Sequence, residues 1–359
     1  MQLIDTVTIH ANPAPLLVSR QAMFPGLVRL PDGELVAMFS IGQAFDAADT
    51  RAHVCRSSDN GRSWSAPVPM HDAGNAALES ETFKPLLLAD GSVLAAGYVF
   101  VRPDALTPIV DPETLAVLPL HNKFAHSLDG GRSWSTPARF EVEGRGLELS
   151  GPCIQLGSGR IIGAAPPFHL GADGHSGWII ASDDNGHSWF KLSEFFAAPD
   201  GNVSAWESRL CKYAPGKVAV LFWAYDNRAG INLNNHLVLS EDGGQTFGAA
   251  VDTGIHGQAS NLVALDGETL LTIHAHREQP VGLVVRRIGL RGDGIDVLET
   301  LDLFANNAMA SNSADIAQQF GSLKFGQPSL LPLGGREFLA ACWQVENCQH
   351  IIKGFRLTL

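Results

Sequence analysis

Basic residues are scarce in this chain. Lysine and arginine number 25 against 37 aspartates and glutamates, a formal net charge of −12. No Lys/Arg run is long enough to make a basic stripe, which excludes nucleic acid and anionic membrane surfaces as partners. Charge of either sign is thin, at 17% of residues against about 25% in ordinary domains. Cysteine is sparse too. Cys55, Cys153, Cys211, Cys342 and Cys348 are odd in number and lack Cys-x-x-Cys spacing, which excludes a disulfide frame and a zinc knuckle and is expected of buried thiols in a reducing compartment. No stretch approaches the roughly 18 uninterrupted apolar residues of a membrane helix. The opening MQLIDTVTIHANPAP has neither the basic n-region nor the apolar h-region of a secretory signal, so the expected location is cytoplasmic. A P-loop, a Rossmann glycine fingerprint and a Gly-x-Ser-x-Gly elbow are all missing, and no cofactor is expected.

What the chain does have is apolar material and turns. Of its 359 residues 45% are hydrophobic, with 37 glycines and 20 prolines, a balance suited to many short buried strands joined tightly. Length alone suggests two or three domains at about 150 residues each, but internal repeats override that prior. The segment Ser57-Ser58-Asp59-Asn60-Gly61-Arg62-Ser63-Trp64 returns at 127–134, 182–189 and 240–247 as S-x-D-x-G-x-[ST]-[WF]. This is hairpin-tip chemistry. The Asp carboxylate binds turn amides, Gly supplies a positive φ, and the aromatic folds back onto a core.

A second repeat interleaves with it: an apolar run, a turn glycine, another apolar run. The copies span 23–40, 82–100, 150–168, 207–225, 257–275 and 326–344, around Gly33, Gly91, Gly159, Gly216, Gly267 and Gly335. Each reads as an inner β-hairpin buried on both faces. Six units predict an all-β six-bladed propeller, a single domain over residues 1–359. The last strand, from His350, leaves blade six one strand short, and Leu3–His10 is expected to close the ring.

These hairpins and Asp motifs resemble the sialidase superfamily of Asp-box propellers, over nearly the whole chain. The resemblance implies that the site lies where the first strand of each blade begins and the second ends, with Asp59, Asp129, Asp184 and Asp242 on the opposite face as structural turns. It also implies departures. True sialidases carry an arginine in a Phe/Tyr-Arg-Ile-Pro segment of the first inner strand; here Ala22-Met23-Phe24-Pro25 stands, with Met23 in its place. The second arginine is expected near Phe222–Tyr225, where Arg228 is the nearest candidate, out of register. The nucleophilic tyrosine belongs where Gly326-Gln327-Pro328 stands, and no tyrosine follows Tyr225. Two positions match: the general acid at Asp46, with Asp49 beside it, and the blade-four carboxylate at Glu207. A carboxylate opening a buried strand must be used or paired, and Arg209, two residues on, shares its face.

Strand alternation adds further groups at the same end: Glu81 and Lys84 from blade two, Glu148 before blade three, Tyr225 and Arg228 from blade four, His274, His276 and Arg277 from blade five, and Trp343 from blade six. Asp46, Asp49, Glu207, Tyr225 and His274 are the catalytic candidates. Arg20, Glu81, Lys84, Glu148, Arg209, Arg228, His276, Arg277, Gln327 and Trp343 are the substrate-binding ones. His274-x-His276 lacks further ligands, so no metal is expected. The first reading is an exo-acting glycosidase using an Asp/Glu pair on a terminal sugar of a small oligosaccharide or glycoside, acidic sugars included. The alternatives are a lyase next to a uronate, with His274, His276 or Tyr225 as base and Arg277 as neutraliser, and a carbohydrate-binding propeller whose catalysis has lapsed. The proline-rich stretch 102–121 is expected to cover the pocket, and Ser313 to Phe320 is compatible with a helix.

Overall fold

The computed structural model describes residues 1–74, 78–292, 294–310 and 322–359; the helix-compatible stretch 313–320 lies outside them. Six small antiparallel sheets form a ring. Blade one runs Gln21–Arg29, Leu35–Gly42, Arg51–Ser57 and Val68–Pro69 from the axis outward, and blades two to five repeat this plan. Blade six takes three strands from the end of the chain (Phe325–Gly334, Glu337–Glu346, Gln349–Thr358) and its outer strand, Gln2–His10, from the beginning. The ring is thus closed by the N-terminal strand, as expected.

The two-residue period of a strand explains how the ring coheres. In blade one Leu35, Ala37 and Phe39 pack against blade six, while the intervening Val36 and Met38 pack against blade two. Every junction between successive blades is filled this way, giving six apolar clusters around the ring. Inner strands therefore read as continuous apolar runs, because both faces are covered.

The four Asp motifs sit between the third and fourth strands of blades one to four. In the first, Asp59 Oδ1 accepts from the amides of Arg62 and Ser63 and from Ser57 Oγ, and Oδ2 accepts from Ser63 Oγ. These donors hold the Asp59 carboxyl down at about 2. The other three copies repeat the Ser-to-Asp and Asp-to-amide bonds. One expectation fails elsewhere: four cysteines are buried free thiols, but Cys348 is exposed. It sits with Asn347 in a left-handed two-residue turn at the edge of blade six, beyond the core.

Candidate active site

Three inner strands break register at the same level. In blade one the pairing jumps from Met23–Ser40 to Gly26–Met38. In blade four it jumps from Trp206–Trp223 to Arg209–Leu221, and in blade six from Gly326–Trp343 to Ser329–Ala341. Each jump sets two residues against one, which is a β-bulge. The first residue of each is left-handed without being glycine: Phe24 at φ 61°, Glu207 at 47° and Gln327 at 40°. Such strain persists where the surroundings over-determine it, often at functional sites. All three side chains line one cavity of about 380 Å³.

The cavity floor is charged. Gln327 Nε2 donates to Glu207 Oε1 at 3.2 Å, and Glu207 Oε2 is turned inward, 3.7 Å from Arg209. Lys84, buried, donates to the carbonyls of Phe24 and Pro25 and to Gln327 Oε1. A lysine can only donate, so it fixes the amide of Gln327 with its NH₂ toward Glu207. Glu148 accepts from the Glu207 amide at 3.2 Å. Burial, and then the charge of Glu207, push the Glu148 carboxyl up to about 8. Arg277 lies against Gly326, where a Cβ would collide with its guanidinium. It donates to the Phe325 carbonyl and lies 5.7 Å from the Trp223 ring centroid.

The walls are mostly aromatic: Phe24, Phe45, Tyr98, Phe100, Phe168, Trp206, Trp223 and Trp343 border the cavity. The 103–119 loop adds Pro108, Ile109, Val110 and Pro112, so it does reach the pocket. Its anchor is Asp46, whose Oδ1 accepts from Arg102 at 2.9 Å and whose Oδ2 accepts from the Ile109 amide at 3.0 Å.

Of the residues singled out from sequence, Asp46, Glu81, Glu148, Glu207, Arg277, Gln327 and Trp343 border the cavity, with Lys84 and Arg209 bonded beneath it. The others need correction. Asp49 lines a separate side depression and pairs loosely with the exposed Arg20 at 3.8 Å. Arg228 points outward over blade three to Asp173 and Asp200, because a turn after Asp226 carries it off the strand. His274 and His276 face the blade interior rather than the axis. On that strand Ile273 and Ala275 fill the junction with blade six, so alternation turns His274 to Asn235 of blade four at 2.8 Å and brings His276 to Arg286 at 3.1 Å. Burial lowers both imidazole pKa values. Tyr225 is buried and stacks on Trp206 at 4.8 Å. Met23, the expected gap in an anion clamp, is wholly buried between blades one and six; Phe24 is the residue that enters the cavity.

The aromatic walls were largely missed, although one signal was present. A proline inside a fully buried inner strand marks a bulge, and both Phe24-Pro25 and Gln327-Pro328 carry it.

No family model and no curated protein matches the chain. Solved structures do. A protein of unknown function from Dyadobacter fermentans superposes with a TM-score of 0.77 at 21% identity, over 100% of this chain and 99% of that one. The Hadza microbial sialidase Hz136 gives 0.70 at 17% identity, over 99% and 68%. The fold is that of the sialidase propellers. The intramolecular trans-sialidase from Ruminococcus gnavus matches at 0.63 and 15% identity over 96% of both chains. At such identities the likeness to sialidases is one of backbone architecture, and the chemistry has to be argued from the cavity.

Proposed function

We propose that this protein is an exo-acting glycoside hydrolase, with Glu207 and Glu148 as its carboxylate pair. One observation carries the reading. Two carboxyl groups meet on the floor of a pocket large enough for a sugar, and Glu148 is pushed up to about 8, so that it holds a proton at neutral pH. A buried carboxyl that keeps its proton beside a second carboxyl is placed to act as the acid of such a pair. Glu148 protonates the departing oxygen; Glu207, with Oε1 on the Gln327 amide, acts as nucleophile or as base toward water.

Asp46, the acid that the sialidase resemblance implied, is committed to the loop through both oxygens. The lyase alternative loses its bases: His274 is engaged by Asn235 of blade four and by Thr272, His276 by Arg286, and Tyr225 is buried against Trp206. Sialic acid is a poor fit. Met23 stands where the resemblance to sialidases puts an arginine, and it is buried between blades one and six while Phe24 enters the cavity; a lost charge-assisted carboxylate contact is worth about 1.5–3 kcal/mol.

The test is a panel of aryl glycosides and acidic oligosaccharides. Turnover of a non-sialic terminal sugar is expected, lowered about 10²–10⁴-fold in Glu148→Gln and Glu207→Gln. Efficient turnover of an aryl sialoside, or wild-type rates in both variants, contradicts the proposal.

A further inference from the structure

The three equivalent bulges do not present like groups. Two bring polar side chains, Glu207 and Gln327, to the cavity; the third spends the same backbone strain on an aromatic ring, Phe24. Phe24 packs edge-on against Phe45 at 5.5 Å and against Trp343 at 6.3 Å, and Phe45 lies 5.2 Å from Trp343. Trp343 is fully buried, whereas Phe24 and Phe45 remain partly exposed. The ring cluster thus offers an apolar face to the cavity.

Beside it stands the 103–119 loop. Arg102 donates to Asp46 and to the Thr107 carbonyl, and the Ile109 amide closes on Asp46. This anchor holds Ile109 and Val110 against the cavity. Three polar side chains on this side are already engaged, Asp46 as described, Ser80 with Arg102 and the Ala47 carbonyl, and Thr50 with the Ala47 carbonyl, while the Trp343 indole N–H is buried without a hydrogen-bond partner among the described residues. The cavity is therefore two-sided, with a charged floor under blades four and six and an apolar wall on blade one and the loop.

We infer that the substrate is amphipathic: a glycoside whose sugar meets Glu207 and Glu148, and whose aglycone is an apolar, ring-sized group seated on Phe24, Phe45, Ile109 and Val110. The inference rests on the glycosidase reading for the sugar half; the apolar half rests on the wall alone. Desolvation of an aryl or similar ring against such a wall supplies binding that a hydroxylated aglycone does not obtain there.

Benzyl and methyl 1-thioglycosides of glucose, galactose, N-acetylglucosamine, rhamnose and glucuronic acid separate the two halves, because they resist hydrolysis and report binding alone. Calorimetric titration is expected to show, for at least one sugar, the benzyl compound binding about tenfold or more tightly than the methyl compound. Phe45→Ala and Ile109→Ser should each draw that ratio toward parity, with circular dichroism showing a retained fold. Equal affinities for every sugar, no binding of either series, or a preference untouched by both substitutions overturns the inference. Hydrolysis of the matching benzyl and methyl O-glycosides, whose leaving alcohols are similar in acidity, is read separately. A benzyl preference in binding with no O-glycoside hydrolysed sinks the enzyme reading and leaves the apolar wall standing.

Discussion

The two ends of the propeller treat carboxyl groups in opposite ways. At the hairpin tips each Asp is wrapped in donors within four residues of it, two amides and two hydroxyls in the case of Asp59, and Asp59 and Asp184 are held at about 2. At the cavity Glu148 has the Glu207 amide and the Ser150 hydroxyl as donors and Arg209 nearby, but burial and the neighbouring Glu207 carboxylate outweigh them and it rises to about 8. The difference is between local and tertiary construction. The tips satisfy each Asp within one turn; the floor brings two carboxyls from separate blades together, and Arg209 offsets only part of what their burial costs. A residual imbalance of that kind is what acid–base chemistry uses.

The largest expected effect removes the floor's charge pattern. Glu207→Gln should lower kcat/KM by about 10²–10⁴-fold on the glycoside found by screening, with the thermal midpoint little changed. Next comes the opposite end. Asp59→Ala leaves the amides of Arg62 and Ser63 without their acceptor, and urea unfolding should show a loss of about 1–2 kcal/mol with catalysis intact in the folded fraction.

A subtler contrast lies in pH. Because the folded Glu148 keeps its proton to about 8 while an unfolded glutamate loses it near 4.3, the unfolded state binds fewer protons between those values, and Glu148 subtracts stability as pH rises through that window. The tip aspartates run the other way: their contribution is present above the unfolded value and lost as pH falls toward about 2. Glu148→Gln should therefore melt about 2 °C or more above wild type at pH 8 and indistinguishably at pH 4. Smallest of all, a thiol reagent should label Cys348 alone under native conditions, because Cys55, Cys153, Cys211 and Cys342 are buried and burial raises their thiol pKa values.

Legibility in the sequence follows the same division. The tips and inner hairpins are local, so repetition of Ser, Asp, Gly and Trp at fixed spacing exposed them, and counting hairpins gave the ring and its closing strand. The site is tertiary, and it was only partly readable. Glu207 and Gln327 came from the resemblance to sialidases and Arg209 from strand alternation; Glu148 and Lys84 followed from asking which residues open each blade. The failures arose where alternation meets a bulge or a turn. A one-residue register change hides Met23 and turns Phe24 inward, the turn after Asp226 carries Arg228 away, and the blade-five strand directs its histidines toward blade four and its own outer strand. No periodic pattern reveals which face of a strand looks at the axis. The loop anchor Asp46–Arg102 spans 56 residues and has no local signature.

The central claim is that Glu148 holds a proton at neutral pH while the tip aspartates do not. Isotope-edited infrared spectroscopy with labelled glutamate tests it directly. The account predicts a protonated-carboxyl band at pH 6.5 in the wild-type protein, absent from Glu148→Gln and lost on titration with a midpoint near 8. A spectrum at pH 6.5 without that band, or with one that survives Glu148→Gln, would contradict it.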